Sequence, residues 1–310
     1  MKKFNLAITI RSFNIDGLSM DTLKKYCCIS FFNTTGRRLT EPELIEALKE
    51  SEGVIAGTEQ FSEKVLQSSS NLKVISRVGI GLDNIDLESA KKYNIQICST
   101  PEAPVQAVAE HTLALLFSIM KHIPMYNTNM RDGNYQLIPG SLLFGKTVGI
   151  IGMGRIGHQV ASYLSGLGCR IIYYDPYISK ELPEIWEKAA HLEDLLLKSD
   201  IVSLHTPPQP DGTPIITADL ISKCKQGMII INTARGSILD EQALMMGLGS
   251  GVVAGAGLDV FSHEPYTGPL LKYSQVIVTP HVSSNTLESR NQMEMEAVQN
   301  LLSVMQDVIR

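Results

Sequence analysis

Residues 146–157 read Lys-Thr-Val-Gly-Ile-Ile-Gly-Met-Gly-Arg-Ile-Gly, and this stretch decides the fold of the chain. Its first six residues predict a β-strand, and the apolar spacing of His158–Leu167 predicts an amphipathic helix. Between strand and helix, Gly152 permits a tight turn, Gly154 lets a pyrophosphate approach the backbone, and Gly157 lets the helix pack closely. The helix N-terminus offers free N–H groups to phosphates, which predicts a dinucleotide site; a glycine turn that binds nothing is the alternative.

The next strand-like run, Arg170-Ile-Ile-Tyr-Tyr, ends at Asp175. An acidic side chain at this distance from the glycine turn accepts hydrogen bonds from the hydroxyls of the adenosine ribose. Its charge repels a 2′-phosphate, and no arginine follows it, so NAD is favoured over NADP. An aspartate that caps the turn before Pro176 is the alternative.

Strand-like and helical segments alternate along the whole chain, which predicts two doubly wound parallel sheets of the α/β class. In the first hundred residues the segments are Leu6–Ile10, Pro42–Glu50, Gly53–Gly57, Leu72–Val78, Leu87–Tyr93 and Ile95–Cys98. Later strands are predicted at Thr147–Ile151, Ile171–Tyr174, Ile201–Leu204, Met228–Ile231, Gly255–Leu258 and Val276–Val278. Six such strands suit a complete dinucleotide-binding sheet.

Two further helices define the expected domains. Val105–Met120 is apolar on most faces, which predicts a helix buried in the protein or against another subunit. Thr286–Ile309 predicts one long helix that returns to the first domain. We therefore expect a Rossmann NAD-binding domain, residues 101–284, inserted in a flavodoxin-like substrate-binding domain, residues 1–100 and 285–310.

The composition limits the classes of function. The chain has 310 residues, 44% hydrophobic and 19% charged, which favours compact globular domains. A net charge of −5 argues against a nucleic-acid partner. The five cysteines lack Cys-x-x-Cys spacing, so we expect no disulfide framework, no metal and a reducing cytoplasm. Apolar runs such as Leu113–Met120 are too short for a membrane span.

Three ionisable residues each follow an apolar run, and the pattern predicts a catalytic set. Arg235 follows Ile-Ile-Ile-Asn-Thr-Ala, Glu264 follows Leu-Asp-Val-Phe-Ser-His, and His281 follows Val-Ile-Val-Thr-Pro. An arginine fork can bind a carboxylate together with the adjacent carbonyl oxygen of a 2-oxo acid. The histidine can protonate the developing alkoxide, and the glutamate can favour the imidazolium form. Taken singly, a surface ion pair and a loop histidine are the alternatives.

From about Leu72 to Leu302 the chain resembles the D-isomer-specific 2-hydroxyacid dehydrogenases, whereas the first seventy residues match only in their strand–helix rhythm. The matching motifs are Arg77-Val-Gly-Ile-Gly-Leu-Asp-Asn-Ile-Asp86, Val108-Ala-Glu110, Gly145–Gly157, Leu204-His-Thr-Pro207, Asn232-Thr-Ala-Arg-Gly236, Leu258-Asp-Val-Phe261 with Glu264-Pro265, and Thr279-Pro-His281. Two segments depart from the family pattern, the loop 208–214 and Val282-Ser-Ser284, and neither removes a catalytic group.

The resemblance implies roles for individual residues. It makes Arg235, Glu264 and His281 catalytic, and it implies a cleft between the domains that closes before hydride transfer. The implied cofactor contacts are the backbone of Arg155 and Ile156 at the pyrophosphate, with His205, Pro207, Thr233, Ala234, Asp259 and Thr100 near the ribose and nicotinamide. The implied substrate contacts are the backbone of Val78, Gly79 and Gly81, together with Arg235 and His281.

Arg77 bears on the choice of substrate. Phosphoglycerate dehydrogenases in the family place an arginine just before this glycine loop, where it can meet a distal phosphate. The resemblance therefore favours 3-phosphoglycerate and 3-phosphohydroxypyruvate as the substrate pair, and through them serine biosynthesis. Pairing of Arg77 with Asp83 or Asp86 is the alternative, and it would favour glyoxylate, hydroxypyruvate or another small 2-oxo acid.

Other classes of function stay open at this stage. An NAD-sensing binding protein similar to the corepressors that resemble this family would keep the same three residues. A hydrolase or formate-oxidising relative would need a different polar set around the nicotinamide. For the enzyme we expect a homodimer formed through Val105–Met120 and its surroundings, with no membrane partner.

Overall fold

The chain forms two compact units, in a computed structural model that describes residues 3–13, 17–178 and 181–309. The first unit comprises Met1–Pro104 with Asn285–Arg310, and the second comprises Val105–Ser284. Of the predicted first domain, residues 1, 2, 14–16 and 310 lie outside the described residues; of the predicted second domain, residues 179 and 180 do.

The first unit contains a five-stranded parallel sheet in the order β2-β1-β3-β4-β5, which is the flavodoxin-like order. Its elements up to residue 98 are β1 (Phe4–Ile8), α1 (Leu18–Tyr26), β2 (Cys27–Phe32), α2 (Glu41–Leu48), β3 (Gly53–Ala56), α3 (Glu63–Ser68), β4 (Val74–Arg77), α4 (Leu87–Lys92) and β5 (Gln96–Cys98). Sequence analysis did not predict α1, β2 or α3. The edge strand β2 follows α1 without an intervening residue, so no turn signal separates them.

Local signals explain where several helices begin. Thr40 and Glu43 form a reciprocal capping box at the start of α2, and Asp86 accepts a hydrogen bond from Ser89 N at the start of α4. Side-chain acceptors at these positions satisfy N–H groups that have no partner inside the helix. They determine the residue at which each helix begins, and therefore where the loop between strand and helix ends.

The second unit contains a seven-stranded parallel sheet in the order β12-β11-β10-β9-β6-β7-β8. Its elements are α5 (Val105–Met120), α6 (Ile123–Arg131), β6 (Thr147–Ile151), α7 (Arg155–Gly166), β7 (Arg170–Tyr174), β8 (Glu187–Lys188), α8 (Leu192–Lys198), β9 (Ile201–Leu204), α9 (Ala218–Ser222), β10 (Met228–Asn232), α10 (Glu241–Ser250), β11 (Val253–Leu258) and β12 (Val276–Val278). Read from β8, this order is the Rossmann order with one added edge strand. The predicted pair of doubly wound parallel sheets is confirmed.

Burial explains the sequence of the central strands. Every residue of β9 and β10 is buried, so these strands are apolar almost throughout instead of alternating. Helix α5 packs on α7 and on strands β10, β11 and β12, which buries Leu115, Leu116 and Ile119 inside the second unit. Among the described residues, no helix has the length and apolar character that a membrane crossing requires.

The last helix, α11 (Leu287–Ile309), belongs to the first unit. Its buried residues Met293, Ala297 and Leu301 lie in one apolar core with Leu6 of β1. Ser76 in β4 donates a hydrogen bond of 2.7 Å to the carbonyl of Ala297, which ties the helix to the middle of the sheet. The C-terminal residues therefore complete the core that the first hundred residues begin.

Candidate active site

The glycine turn after β6 has the geometry that a dinucleotide site requires. Gly152 has a φ of +90°, and a Cβ there would lie 2.6 Å from the carbonyl oxygen of His205. A Cβ on Gly157 would lie 2.0 Å from the carbonyl oxygen of Gly152, so only glycine lets α7 start this close to the turn. A Cβ on Gly154 would meet nothing within 4 Å, which leaves open space in front of the helix N-terminus.

Helix α7 begins without a side-chain cap, because its N-cap residue is Gly154. Arg155 and Ile156 are its first residues, and the N–H groups of a first helical turn point out of the end of the helix. These groups and the positive end of the helix dipole can hold a diphosphate. The residues present at this turn thus fit the pyrophosphate of NAD.

Asp175 lies directly after β7, beside the glycine turn. Its Oδ2 accepts a hydrogen bond of 2.7 Å from Met153 N, and its Oδ1 accepts one of 2.9 Å from Tyr177 N. The carboxylate therefore holds the middle residue of the turn in place. Each oxygen keeps capacity for a further donor such as a ribose hydroxyl.

His205 follows β9, the neighbour of β6 at the point where the strand order reverses. Its Nε2 lies 2.8 Å from Ser203 Oγ. Burial lowers the pKa of His205 to about 3, so the ring is neutral at physiological pH. A neutral, fixed ring suits a wall of the cofactor site.

Arg235 lies in the loop after β10, and that loop is fixed by Asn232. The Asn232 side chain accepts from Ala234 N at 3.1 Å and donates to the carbonyl of Arg235 at 2.8 Å. A Cβ on Gly236 would lie 1.8 Å from the carbonyl carbon of Phe261, so the loop touches the segment that leads to Glu264. Close backbone contact at this glycine places Arg235 next to the other catalytic candidates.

Glu264 and His281 form a hydrogen-bonded pair, with Oε2 and Nδ1 2.9 Å apart. Burial works to raise the pKa of Glu264, but the hydrogen bond and charge of His281, the N–H of Phe261 and the charge of Arg235 together hold it below its usual value. The structure thus brings Arg235, Glu264 and His281 into one group within the second unit. With Nδ1 engaged, Nε2 of His281 is the nitrogen that can exchange a proton with a substrate.

Asp259 directly follows β11 and is completely buried. It accepts hydrogen bonds from the segment that contains His281. Its Oδ1 accepts from Thr279 Oγ1 at 2.6 Å and from Val282 N at 2.8 Å, and its Oδ2 accepts from Ser283 N at 2.8 Å. A contact between Asp259 and a nicotinamide carboxamide stays a prediction. The three hydrogen bonds show that Asp259 holds the segment around His281 in place.

The remaining cofactor candidates of the second unit lie at the carboxyl ends of its strands. Pro207 is exposed two residues after His205. Thr233 is buried, and its Oγ1 lies 2.9 Å from Thr112 Oγ1 on α5, while Ala234 is partly buried. Their positions after β9 and β10 are those where ligands bind in open parallel sheets, and their individual contacts stay predictions.

The substrate candidates of the first unit surround Gly79. Arg77 ends β4, and a Cβ on Gly79 would lie 1.5 Å from Arg77 Nη1, so the guanidinium rests against this glycine. Thr100 is completely buried, and its Oγ1 accepts a hydrogen bond of 2.7 Å from Gly79 N. Val78 is buried, whereas Gly81 is partly exposed. The contacts of these residues with substrate or cofactor stay predictions.

Sequence analysis assigned no role to Ser203, Thr279 or His111, which contact the candidate residues. His111 is one of several polar residues in the largely apolar helix α5, and Thr279 stands two residues before His281 in a quoted motif. Among the residues that the structure describes, no group of three or more His, Cys, Asp or Glu side chains could hold a metal ion.

Comparison with known proteins gives one family. The family model "D-isomer specific 2-hydroxyacid dehydrogenase, NAD binding domain" matches residues 113–283. The chain is 36% identical over 274 residues to a hydroxypyruvate reductase from Thermotoga maritima, covering 86% of this chain and 89% of that protein.

It is 32% identical over 309 residues to a D-3-phosphoglycerate dehydrogenase from Synechocystis, covering 98% of this chain and 55% of that protein. The chain thus spans about half the length of the D-3-phosphoglycerate dehydrogenases that it matches. A crystal structure of D-lactate dehydrogenase from Aquifex aeolicus, complexed with NAD and lactic acid, is similar with a TM-score of 0.85 at 27% identity. The match covers 98% of this chain and 96% of that one.

Proposed function

The chain belongs to the D-isomer specific 2-hydroxyacid dehydrogenase family, and on that premise we propose that it catalyses reversible hydride transfer between NADH and a 2-oxo acid. The observation that carries the proposal is the contact of 2.9 Å between Glu264 Oε2 and His281 Nδ1, with the charge of Arg235 acting on the same carboxylate. A cation for a carboxylate and an oriented proton donor then stand in the unit that holds the dinucleotide turn.

Each group has a distinct task in the reduction. The Arg235 guanidinium binds the substrate carboxylate and polarises the neighbouring carbonyl oxygen through parallel N–H donors. NADH, when bound, supplies the hydride that reaches the carbonyl carbon. His281 gives its Nε2 proton to the carbonyl oxygen, and Glu264 stabilises the imidazolium before that transfer. A 2-oxo acid, NADH and a proton thus become a 2-hydroxy acid and NAD.

We propose NAD in preference to NADP because Asp175 lies beside the glycine turn. Its two oxygens are held by Met153 N and Tyr177 N, so the carboxylate is fixed at this place. A fixed negative charge would repel a 2′-phosphate and accept hydrogen bonds from ribose hydroxyls.

The favoured substrate is 3-phosphohydroxypyruvate, in exchange with 3-phosphoglycerate. Several similar proteins are named D-3-phosphoglycerate dehydrogenase, and Arg77 places its guanidinium against Gly79 of the proposed carboxylate loop. Asp86, one of the two alternative partners of Arg77, accepts two hydrogen bonds from Ser89 as the cap of α4. Hydroxypyruvate is the second candidate, because the chain is 36% identical over 274 residues to the hydroxypyruvate reductase from Thermotoga maritima.

The deciding experiment follows NADH absorbance with purified protein and a panel of 3-phosphohydroxypyruvate, hydroxypyruvate, glyoxylate and pyruvate. Preference for the phosphorylated acid, lost in Arg77→Ala, would support the first candidate. Preference for a small unphosphorylated acid would support the second. Tight NADH binding without turnover on any acid would contradict the enzyme proposal and favour an NAD-sensing protein.

We propose a homodimer as the working assembly. Helix α5 buries one face inside its own unit, but the segment that follows it exposes large apolar side chains: Tyr135, Leu137, Leu142 and Phe144 are 66–79% exposed. Apolar side chains this exposed and this close in sequence favour contact with a second copy. Light scattering should give a dimer for the native chain and a monomer for the double variant Leu137→Asp, Leu142→Asp.

A further inference from the structure

His111 on helix α5 is hydrogen-bonded to the segment that carries the catalytic candidate His281. Its Nε2 lies 3.0 Å from Thr279 Oγ1, and Thr279 Oγ1 lies 2.6 Å from Asp259 Oδ1. The His111 nitrogen and the Asp259 oxygen are themselves 3.7 Å apart. A helix on one face of the sheet is therefore joined to the buried carboxylate at the carboxyl end of β11.

The hydrogen-bond partners determine which atom donates at each step between His111 and Asp259. Asp259 receives the N–H groups of Val282 and Ser283 as well as the Thr279 hydroxyl, so its carboxylate acts as an acceptor throughout. Thr279 has one hydroxyl proton and donates it to Asp259. The Thr279 oxygen must then accept from His111, which requires a proton on His111 Nε2.

Asp259, at the other end of these hydrogen bonds, holds His281 in an uncommon backbone conformation. His281 has a φ of +54°, in the left-handed region that non-glycine residues adopt rarely. The carbonyl of Asp259 accepts His281 N at 2.8 Å, and its carboxylate accepts the N–H groups of the next two residues. One buried residue thus determines the backbone of His281 on both sides of its side chain.

Resting on the proposed function, we infer that His111 is a positioning residue for the reaction. It donates to Thr279, Thr279 donates to Asp259, and Asp259 sets the turn that aims His281 at the substrate and at Glu264. His111 itself is hydrogen-bonded to Thr279 and lies 3.7 Å from Asp259. Its effect passes through Thr279 to the orientation of the Asp259 carboxylate, which accepts the N–H groups of Val282 and Ser283.

A purely structural role predicts a different result from a positioning role. If His111 only pinned α5 to the sheet, its loss would lower the melting temperature and leave kcat close to that of the native protein. If it positions His281, its loss lowers kcat far more than it weakens the binding of NADH, because the glycine turn and Asp175 are not in its chain of hydrogen bonds and Asp259 is the one predicted cofactor contact within it.

The test compares His111→Leu with His111→Gln, using the acid from the panel that the native protein reduces. For His111→Leu we expect kcat to fall about 10- to 100-fold, since misplacement of a catalytic group by a fraction of an ångström to one ångström has effects of this order. The Kd for NADH should change much less than kcat. Glutamine keeps an N–H donor that can reach Thr279, so His111→Gln should recover most of the lost kcat.

His158→Leu serves as the matched control. His158 is partly buried in the same unit and packs edge-on against Trp186, with ring centroids 5.3 Å apart, away from Thr279. Its kcat should stay near the native value. Equal kcat in His111→Leu and His158→Leu, or equal loss in the leucine and glutamine variants, would overturn the positioning role.

A second readout does not depend on turnover, so it separates this inference from the proposed function. In protein labelled with ¹⁵N-histidine, NMR should show His111 with its proton on Nε2. Loss of His111 should shift the ring resonances of His281, whereas His158→Leu should leave them in place. A proton on Nδ1 only, or an unchanged His281 signal in His111→Leu, would refute the inference even if the enzyme is active.

Discussion

Glu264→Gln is the variant that examines the proposed proton donor most directly. Glu264 offers two carboxylate oxygens, one to His281 Nδ1 at 2.9 Å and one to Phe261 N at 3.2 Å. Glutamine has nearly the same shape but one oxygen and no charge, so it can serve one of the two donors and cannot pair with an imidazolium. The substitution thus removes the electrostatic support of His281 with little change in packing.

The size of the effect follows from the geometry. A hydrogen bond to a charged group contributes about 1.5–3 kcal/mol. The side chains of His281 and Glu264 are 43% and 37% exposed, so solvent screens the pair. We therefore take the lower end of that range, about 1.5 kcal/mol. Because about 1.4 kcal/mol corresponds to a factor of ten, we expect kcat/KM for oxo-acid reduction to fall roughly ten-fold in Glu264→Gln.

The assay is kcat/KM for oxo-acid reduction, measured at neutral pH for the native protein and for Glu264→Gln. The Kd for NADH, from fluorescence titration, should stay the same. Glu241→Gln is the matched control, because Glu241 holds Ser262 of the same loop without touching His281.

An unchanged kcat/KM in Glu264→Gln, or the same fall in Glu241→Gln, would refute the role of Glu264. The dependence of stability on acid pH gives a further check. The pKa of Glu264 lies below its usual value, so its contact with His281 contributes fully to the free energy of unfolding above about pH 4.5. That contribution is lost as the pH falls through the lowered pKa.

Three further predictions concern the cofactor and the substrate. Gly154→Ala should weaken NADH binding at an unchanged melting temperature, since a Cβ there meets no protein atom. Gly152→Ala, in contrast, should lower the free energy of unfolding by about 1–3 kcal/mol, because Gly152 has a positive φ and a Cβ there would contact His205. Arg235→Ala should raise the KM for the oxo acid and lower kcat while the Kd for NADH is retained; unchanged turnover would exclude its assigned role. Asp175→Ala should reduce the preference for NADH over NADPH, and a ratio of kcat/KM values equal to that of the native protein would exclude Asp175 as the selecting group.

Secondary structure was predictable where local signals are strong. The bounds of α5, β6, β9 and β12 agree with the prediction to the residue, because each is an apolar run with clear ends. The edge strand β2 was missed, since Cys27–Phe32 mixes exposed and buried residues and directly follows a helix. The two-residue strand β8 was missed because both of its residues, Glu187 and Lys188, are charged and exposed.

The candidate site was predictable in its members but not in its contacts. Arg235, Glu264 and His281 could be named because each follows an apolar run, and parallel strands bring their carboxyl ends to one edge. The contact between Asp259 and the turn around His281 could not be predicted, because it needs β11 and β12 to be neighbours. The same holds for His111, which meets Thr279 across 168 positions of sequence.

The sequence by itself predicted the α/β class, the dinucleotide turn and the three residues of the proposed catalytic set. These features depend on the period of apolar residues, on glycine spacing and on the order of polar residues after strands, all of which are local. Only the tertiary structure decided which oxygen accepts from which N–H, that His281 takes a left-handed backbone, and that His111 of α5 contacts Thr279 in the same segment. Such contacts depend on strand order and on helix packing, which bring together residues that no local pattern connects.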